Sequence, residues 1–332
     1  MNRTTLFLSS VVAGVSVALV APAVGVIGAA GVDASVSGDT LRVLGTSGAD
    51  TITLRLRAGD PTTVEVDAPA DGVADASFSR DQFTKILILG RSGNDVLRID
   101  DTNGTFTDTE ATTVDGESGN DSLFGGGGAE VFRGGTGNDV ADGNRGNDTG
   151  IMGSGDDNFI WDPGDGNDVI EGDTGIDTMT FNGAGGPETF DMTAIGGRLD
   201  FFRQPGNVRM DTDNVEAVTV NALGSADVVT INDLSATDVA TSLIDLGPAL
   251  GASGGDGAAD QVIMRGTEGD DDISVSGDAA SISVAGLAPE VTIVDAESSD
   301  QLLLETLGGN DTVDTAALVP GVISVFVDGA PA

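Results

Sequence analysis

Between Asp121 and Asp157 every ninth residue is an acid: Asp121, Glu130, Asp139, Asp148 and Asp157. After a two-residue step come Asp168 and Asp177. Each acid closes a glycine-rich run. The units read GESGNDSLF, GGGGAEVFR, GGTGNDVAD, GNRGNDTGI and MGSGDDNFI. After Trp161-Asp162 follow PGDGNDVIE and GDTGIDTMT. A carboxylate beside a tight turn, next to outward-pointing carbonyls, makes an oxygen-rich pocket suited to a hard cation. Glycine supplies the positive φ that such turns demand.

The elements that hold these acids follow from the same period. The eighth position of each unit is Leu123, Phe132, Ala141, Gly150, Phe159, Ile170 or Met179. Flanked by outward residues, it is the inward residue of a very short strand. Nine-residue register over seven units is the mark of a solenoid. Composition alone, as in a disordered Gly/Asp linker, would not keep apolar residues in phase.

On these motifs the units resemble the GGxGxDxUx nonapeptide of RTX (haemolysin-type) calcium-binding proteins. The resemblance implies an all-β chain, a parallel β-roll or β-solenoid with flanking β-rich regions, in which two units form an eighteen-residue coil. It implies Ca2+ as the bound ion. Asp121, Asp139, Asp157 and Asp177 would line one side, and Glu130, Asp148 and Asp168 the other. Each ion would take acids from units two apart, with backbone oxygens of the turn glycines Gly119, Gly126, Gly128, Gly135, Gly137, Gly146, Gly155, Gly166 and Gly175. Three departures stand out: Glu130 replaces Asp, Gly150 stands where an apolar residue belongs, and the Gly-Gly doublet is kept only at Gly125-Gly126 and Gly134-Gly135. Over roughly residues 40 to 315 the order of segments also resembles a wider group of bacterial calcium-binding repeat proteins.

Four segments are expected. Residues 1–30 read as an export signal, with Arg3, an apolar run from Leu6 to Val20 and the small-residue site Ala21-Pro22-Ala23. Residues 33–115 form a β-rich region in which ADTITLRLR and TTVEVDA alternate polar and apolar. Residues 116–180 are the nonapeptide β-roll. Residues 181–332 form a second β-rich, solenoid-like region, with a hairpin around QPGN and strands such as EAVTVNAL and DQLLLET. TDVATSLIDLG is its one weak helical candidate. Isolated copies of the turn motif occur at Asp50, Asp95, Asp271 and Asp311, with a looser echo at Asp227. Lacking a partner one or two units away, Asp50 and Asp95 read as turns entering strands rather than as ion sites.

Composition removes whole classes of function. The 332 residues carry a formal net charge of −40. That excludes a general nucleic-acid binder, which needs a basic face, and opposes anionic membranes. Cysteine, histidine and tyrosine are absent. Neither Ser-His-Asp nor Cys-His chemistry can be assembled, and zinc lacks its usual ligands. A polysaccharide lyase or epimerase on a β-helix would need a basic residue or tyrosine as base, and Lys85 is the single lysine. Arg198, Arg203 and Arg209 form one basic cluster, read as pairing locally with Asp200, Asp211 and Asp213. Trp161 reads as packing at the widened rung.

The leading expectation is therefore a secreted, extracellular, non-enzymatic scaffold that binds calcium ions and takes an extracellular glycan or protein partner. No nucleic acid is involved, and no membrane insertion follows signal cleavage. The alternatives are the lyase or epimerase and a fragment of a pore-forming toxin, which would need membrane segments beyond the signal. Protein recovered from culture medium should begin at Val24 or Gly31. N-terminal sequencing that finds intact Met1 on a membrane-bound product would contradict the signal.

Overall fold

The computed structural model describes residues 31–332 and the backbone of Val26 and Ile27. The export signal expected over 1–30 lies outside the described side chains. Among the described residues the strands form two long sheets, of 16 and 14 strands.

The nonapeptide block shows how the sheets arise. Glu130–Thr136 pairs in parallel with Ala111–Ser118 on one side and Thr149–Ser154 on the other. Across the coil, the three-residue strand Val140–Asp142 lies between Ser122–Phe124 and Asn158–Trp161. Each turn of chain thus adds one strand to each sheet. A parallel pair needs a crossover, and here the crossover is the other sheet. Inward positions fall in register: Leu97, Leu123, Ala141, Phe159 and Met179 face the interior from the second sheet. Val114, Phe132, Gly150 and Ile170 face it from the first. All these apolar side chains are buried.

Gly150 is no defect in this core. A Cβ placed on it would lie 2.8 Å from the ring of Phe159, which fills the space from the opposite sheet. Alternating large and small residues across the interior is how facing layers reach native packing density. Where Trp161-Asp162 widens the coil, Trp161 stacks on Phe181 with ring centroids 4.1 Å apart. Phe201 lies 4.6 Å from Phe181. The indole N–H donates to the Gly166 carbonyl at 2.9 Å, so the one polar atom of this buried ring is satisfied.

The same two sheets run through the flanking regions. Thr40–Leu44 and Lys85–Ser92 lead in parallel to Ala111–Ser118, and Thr51–Arg57 and Val96–Asp100 lead to Ser122–Phe124. Beyond the block, Arg198–Gln204 and Val208–Asp213 form the hairpin expected around QPGN. The TDVATSLIDLG stretch is not helical. Thr241–Asp245 is a strand between Ala217–Asn221 and Glu290–Val294. Ser242 and Ile244 point inward in strict alternation, so the period of two overrides helix propensity.

Core complementarity predicts an unusual outcome. Gly150→Ala should lower stability by about 1–3 kcal/mol although it adds apolar volume, because the site is already full. Denaturant titration in excess calcium measures it; an unchanged or raised midpoint would refute the packing described.

Candidate metal columns at the sheet edges

The acids stand where each coil turns into a strand, so stacked coils align them. Along one edge they form a continuous ladder. The backbone N–H of Asp121 donates to Asp139 Oδ1, and that of Asp139 to Asp157 Oδ1, both at 2.7 Å. Asp157 donates to Asp177 Oδ1 at 2.9 Å, and Asp177 to Glu216 Oε2 at 2.8 Å. On the other edge Glu130 donates to Asp148 Oδ1 at 2.7 Å and Asp148 to Asp168 Oδ1 at 2.8 Å. The two-sided arrangement of the seven acids is present in the structure. An outer ladder runs beside the first in the opposite sense: the backbone N–H groups of Asn120, Asn138 and Asp156 donate back to the side chains of Asn94, Asn120 and Asn138.

Each aspartate spends one oxygen on the adjacent rung, whereas Glu130 Oε2 accepts from the Gly126 N–H of its own turn at 3.0 Å. The second oxygen of Asp121, Asp139, Asp148, Asp157 and Asp177, and Oε1 of Glu130, is buried with no hydrogen-bond partner among the described residues. The seven residues are at most 2% exposed. A buried carboxylate with an unpaired oxygen is expensive unless it takes up a proton or a cation. Burial, ahead of the neighbouring acids, pushes the Asp139 and Asp168 carboxyls up to about 7 and Asp148 up to about 9. Asp177 rises to about 6 from the same causes. Asp121, Glu130 and Asp157 also move upward, chiefly by burial.

The orphaned oxygens look into cradles that a side chain would fill. A Cβ on Gly116 would come within 3 Å of both Asp121 Oδ2 and the Gly134 carbonyl oxygen. One on Gly134 would come equally close to Asp139 Oδ2 and the Met152 carbonyl, and one on Gly172 to Asp177 Oδ2 and the Asn214 carbonyl. Gly143 borders Asp148 Oδ2 too, with no carbonyl among its nearest atoms. Carboxylate and carbonyl oxygens therefore share one small space. No nitrogen or sulfur ligand is at hand, which suits a hard divalent ion and not a transition metal. Among the described residues no three acidic side chains converge, so backbone oxygens must complete each sphere. The donor set fits calcium.

The glycines divide into two roles. Gly119, Gly137, Gly155 and Gly175 have φ between 122° and 146°. They stack backbone on backbone: a Cβ on Gly137 would strike the Gly119 carbonyl, and one on Gly155 the Gly137 carbonyl. Gly146 meets Gly128, and Gly166 meets Gly146, in the same manner. Gly135 packs on the Glu117 carbonyl, and Gly126 against Ile99 and Thr107. These positions permit close stacking. The glycines that border the orphaned oxygens are Gly116, Gly134, Gly143 and Gly172. The first residue of each unit was the sequence signal for them, and the ligand set expected above did not include them.

Two features were hidden from the repeat. Asp50 and Asp95 are not isolated: Asp50 N–H donates to Asp95 Oδ1 and Asp95 N–H to Asp121 Oδ1, each at 2.7 Å. Their spacings of 45 and 26 residues conceal a register that the sheets impose. A further ladder, Glu188 to Asp227 to Asp260 to Asp300, continues in the C-terminal region. Asp271 likewise donates to Asp311 at 3.0 Å. The basic cluster pairs as expected at Arg198, with Asp211 and Asp213, and at Arg209, with Asp200. Arg203 instead holds Glu188, with Nε at 2.6 Å.

The upward shifts set a pH dependence. A folded-state pKa above the unfolded value of roughly 3.9 means that stability is complete below about pH 4 and is lost as pH rises through the folded values. In chelator, the protein should therefore melt highest at about pH 4 and lose stability progressively above it, with the loss from Asp177 complete by about pH 6 and that from Asp148 by about pH 9. In excess calcium that loss should disappear. Circular-dichroism melts across this range test it; a chelator melting temperature that climbs with pH would contradict the buried-acid columns.

Comparison with known proteins places these columns. No curated protein and no solved structure matches the chain. The family model of the RTX calcium-binding nonapeptide repeat (4 copies) matches residues 107–140, 124–159 and 162–180. The matched residues hold all seven acids of the two columns. The chain thus carries, within residues 107–180, calcium-binding nonapeptide repeats of the RTX family.

Proposed function

We propose that this chain is an extracellular scaffold whose β-roll closes when calcium binds, and which then presents its flanking sheets to a glycan or protein partner. The single observation that carries the reading is the set of orphaned, buried carboxylate oxygens on six of the seven acids of the block. Residues 116–180 are the calcium-responsive part of this scaffold, with 33–115 and 181–332 as the flanking regions and 1–30 as an export signal. Asp121, Glu130, Asp139, Asp148, Asp157, Asp168 and Asp177 supply the side-chain oxygens.

The energetics favour a switch over a permanently closed roll. Carboxylates about 5 Å apart at an effective dielectric of about 20 repel by roughly 3 kcal/mol. A divalent ion reverses the sign of that term, and its binding energy becomes folding energy. Extracellular calcium modules commonly bind at about 10⁻⁴–10⁻³ M, so such a roll stays open at cytosolic calcium and closes after export. A non-enzymatic role accords with a chain that has no histidine, cysteine or tyrosine and whose clustered arginines are held in ion pairs.

At neutral pH the full chain should gain β signal in circular dichroism when millimolar calcium replaces chelator, and should not do so in magnesium, which demands a tighter octahedral shell. A full β spectrum already present in chelator at pH 8 would sink the switch. Glycan arrays and pull-downs with calcium-loaded protein identify the partner.

A further inference from the structure

The column acids are not alike, and the difference lies four residues upstream. At Asp50, Oδ2 accepts from the Thr46 N–H at 2.6 Å and from its hydroxyl at 3.0 Å. At Asp271, Oδ2 accepts from the Thr267 N–H at 2.8 Å, and the Thr267 hydroxyl binds Oδ1 at 3.1 Å. Glu188 is closed in the same way by the Ala184 N–H at 2.6 Å and further neutralised by Arg203. These turns satisfy their own carboxylates.

At Asp121, Asp139, Asp148, Asp157 and Asp177 the residue four before the acid has a positive φ: Glu117, Gly135, Asn144, Gly153 and Asp173. None of these residues donates to the carboxylate, and the second oxygen is orphaned. Two acids outside the nonapeptide block share this open form. Before Asp95 stands Arg91 with φ 80°, and before Asp227 stands Leu223 with φ 61°. Such φ values strain a non-glycine residue and persist where the surroundings require them.

Asp95 and Asp227 are each 1% exposed, and Oδ2 of each is buried without a partner. A Cβ on Gly90 would come within 3 Å of both Asp95 Oδ2 and the Gly116 carbonyl oxygen, the same cradle as at Asp121. Asp227 stands in its ladder between Glu188, whose N–H donates to Asp227 Oδ1, and Asp260, whose Oδ1 accepts from the Asp227 N–H, and the negative charge of Asp256 also acts on it. Arg203 answers Glu188 alone; Asp256 and Asp260 have no arginine or lysine partner among the described residues. Their remaining contacts are backbone amides: Asp256 accepts from Ser225 and Ala258, and Asp260 from Asp227.

We propose that Asp95 and Asp227 each bind a divalent cation of the calcium class outside the nonapeptide block, and that Asp50 and Asp271, despite their glycine-aspartate motifs, do not. The assignment rests on the calcium reading of the block. The cation takes Oδ2 of the acid, and at Asp95 the Gly116 carbonyl lies within its reach. Calcium thus engages the N-terminal region and the C-terminal solenoid as well as the repeats. The motif GTxGxD marks a self-capped turn, whereas a left-handed residue at its second position marks an open one.

The test is bound calcium per full-length chain, measured by native mass spectrometry at saturating calcium. Asp95→Asn and Asp227→Asn should each lose one ion, while Asp50→Asn and Asp271→Asn lose none. Unchanged stoichiometry in the first pair, or equal loss in the second, overturns the assignment while leaving the block intact. An unmodified chain that binds no calcium overturns both. Should a variant fail to fold, anomalous scattering from terbium-soaked crystals of the unmodified chain decides the matter. Peaks beside Asp95 and Asp227 and none beside Asp50 and Asp271 support the assignment, and the absence of the first two defeats it.

Discussion

Everything in this molecule depends on stacking like charges inside a protein edge. Parallel strands bring successive coils about 4.8 Å apart, so residues in register become near neighbours. A column of acids in register is then a column of mutual repulsion, buried where water cannot screen it. One oxygen of each aspartate in the block is absorbed by the amide of the adjacent rung. The second is left bare, and only a proton or a cation can answer it. The net charge of −40 adds to that repulsion.

The glycines follow from that constraint. Rungs this close cannot carry a Cβ at the turn, because it would enter the carbonyl of the rung before. One residue class therefore serves two purposes: it lets the backbone stack, and it leaves room beside the carboxylate for an ion. The apolar interior is correspondingly thin, with one inward side chain on each of the three-residue strands Ser122–Phe124 and Val140–Asp142. Elsewhere the cross-section widens, and aromatic rings around Phe181 take over.

The molecule also shows what replaces an ion. Where the hairpin of Arg198–Gln204 and Val208–Asp213 interrupts the edge column, the next acid, Glu188, meets the guanidinium of Arg203. A permanent charge on the hairpin takes the place of a soluble one. Thr46 and Thr267 answer their carboxylates more cheaply, with an amide and a hydroxyl. Three solutions to one electrostatic problem thus coexist along two edges.

The nine-residue period determined, without any structure, the inward residues, and the family resemblance it carried implied the two-sided placement of seven acids and the all-β class. That is because a solenoid repeats its local geometry and so writes it in the sequence at fixed spacing. The alternation in TITLRLR and the turn at QPGN were equally local. What the sequence left open was every contact made across irregular spacing. Asp50 and Asp95 looked isolated because hairpins of differing length separate them, and only the sheets put them back in register. Gly150 looked like a gap until Phe159 came across from the other sheet. TSLID became a strand because two neighbouring strands demanded its backbone. Whether a given aspartate is open or capped was decided by a single φ angle and the direction of one amide, and tertiary stacking sets both.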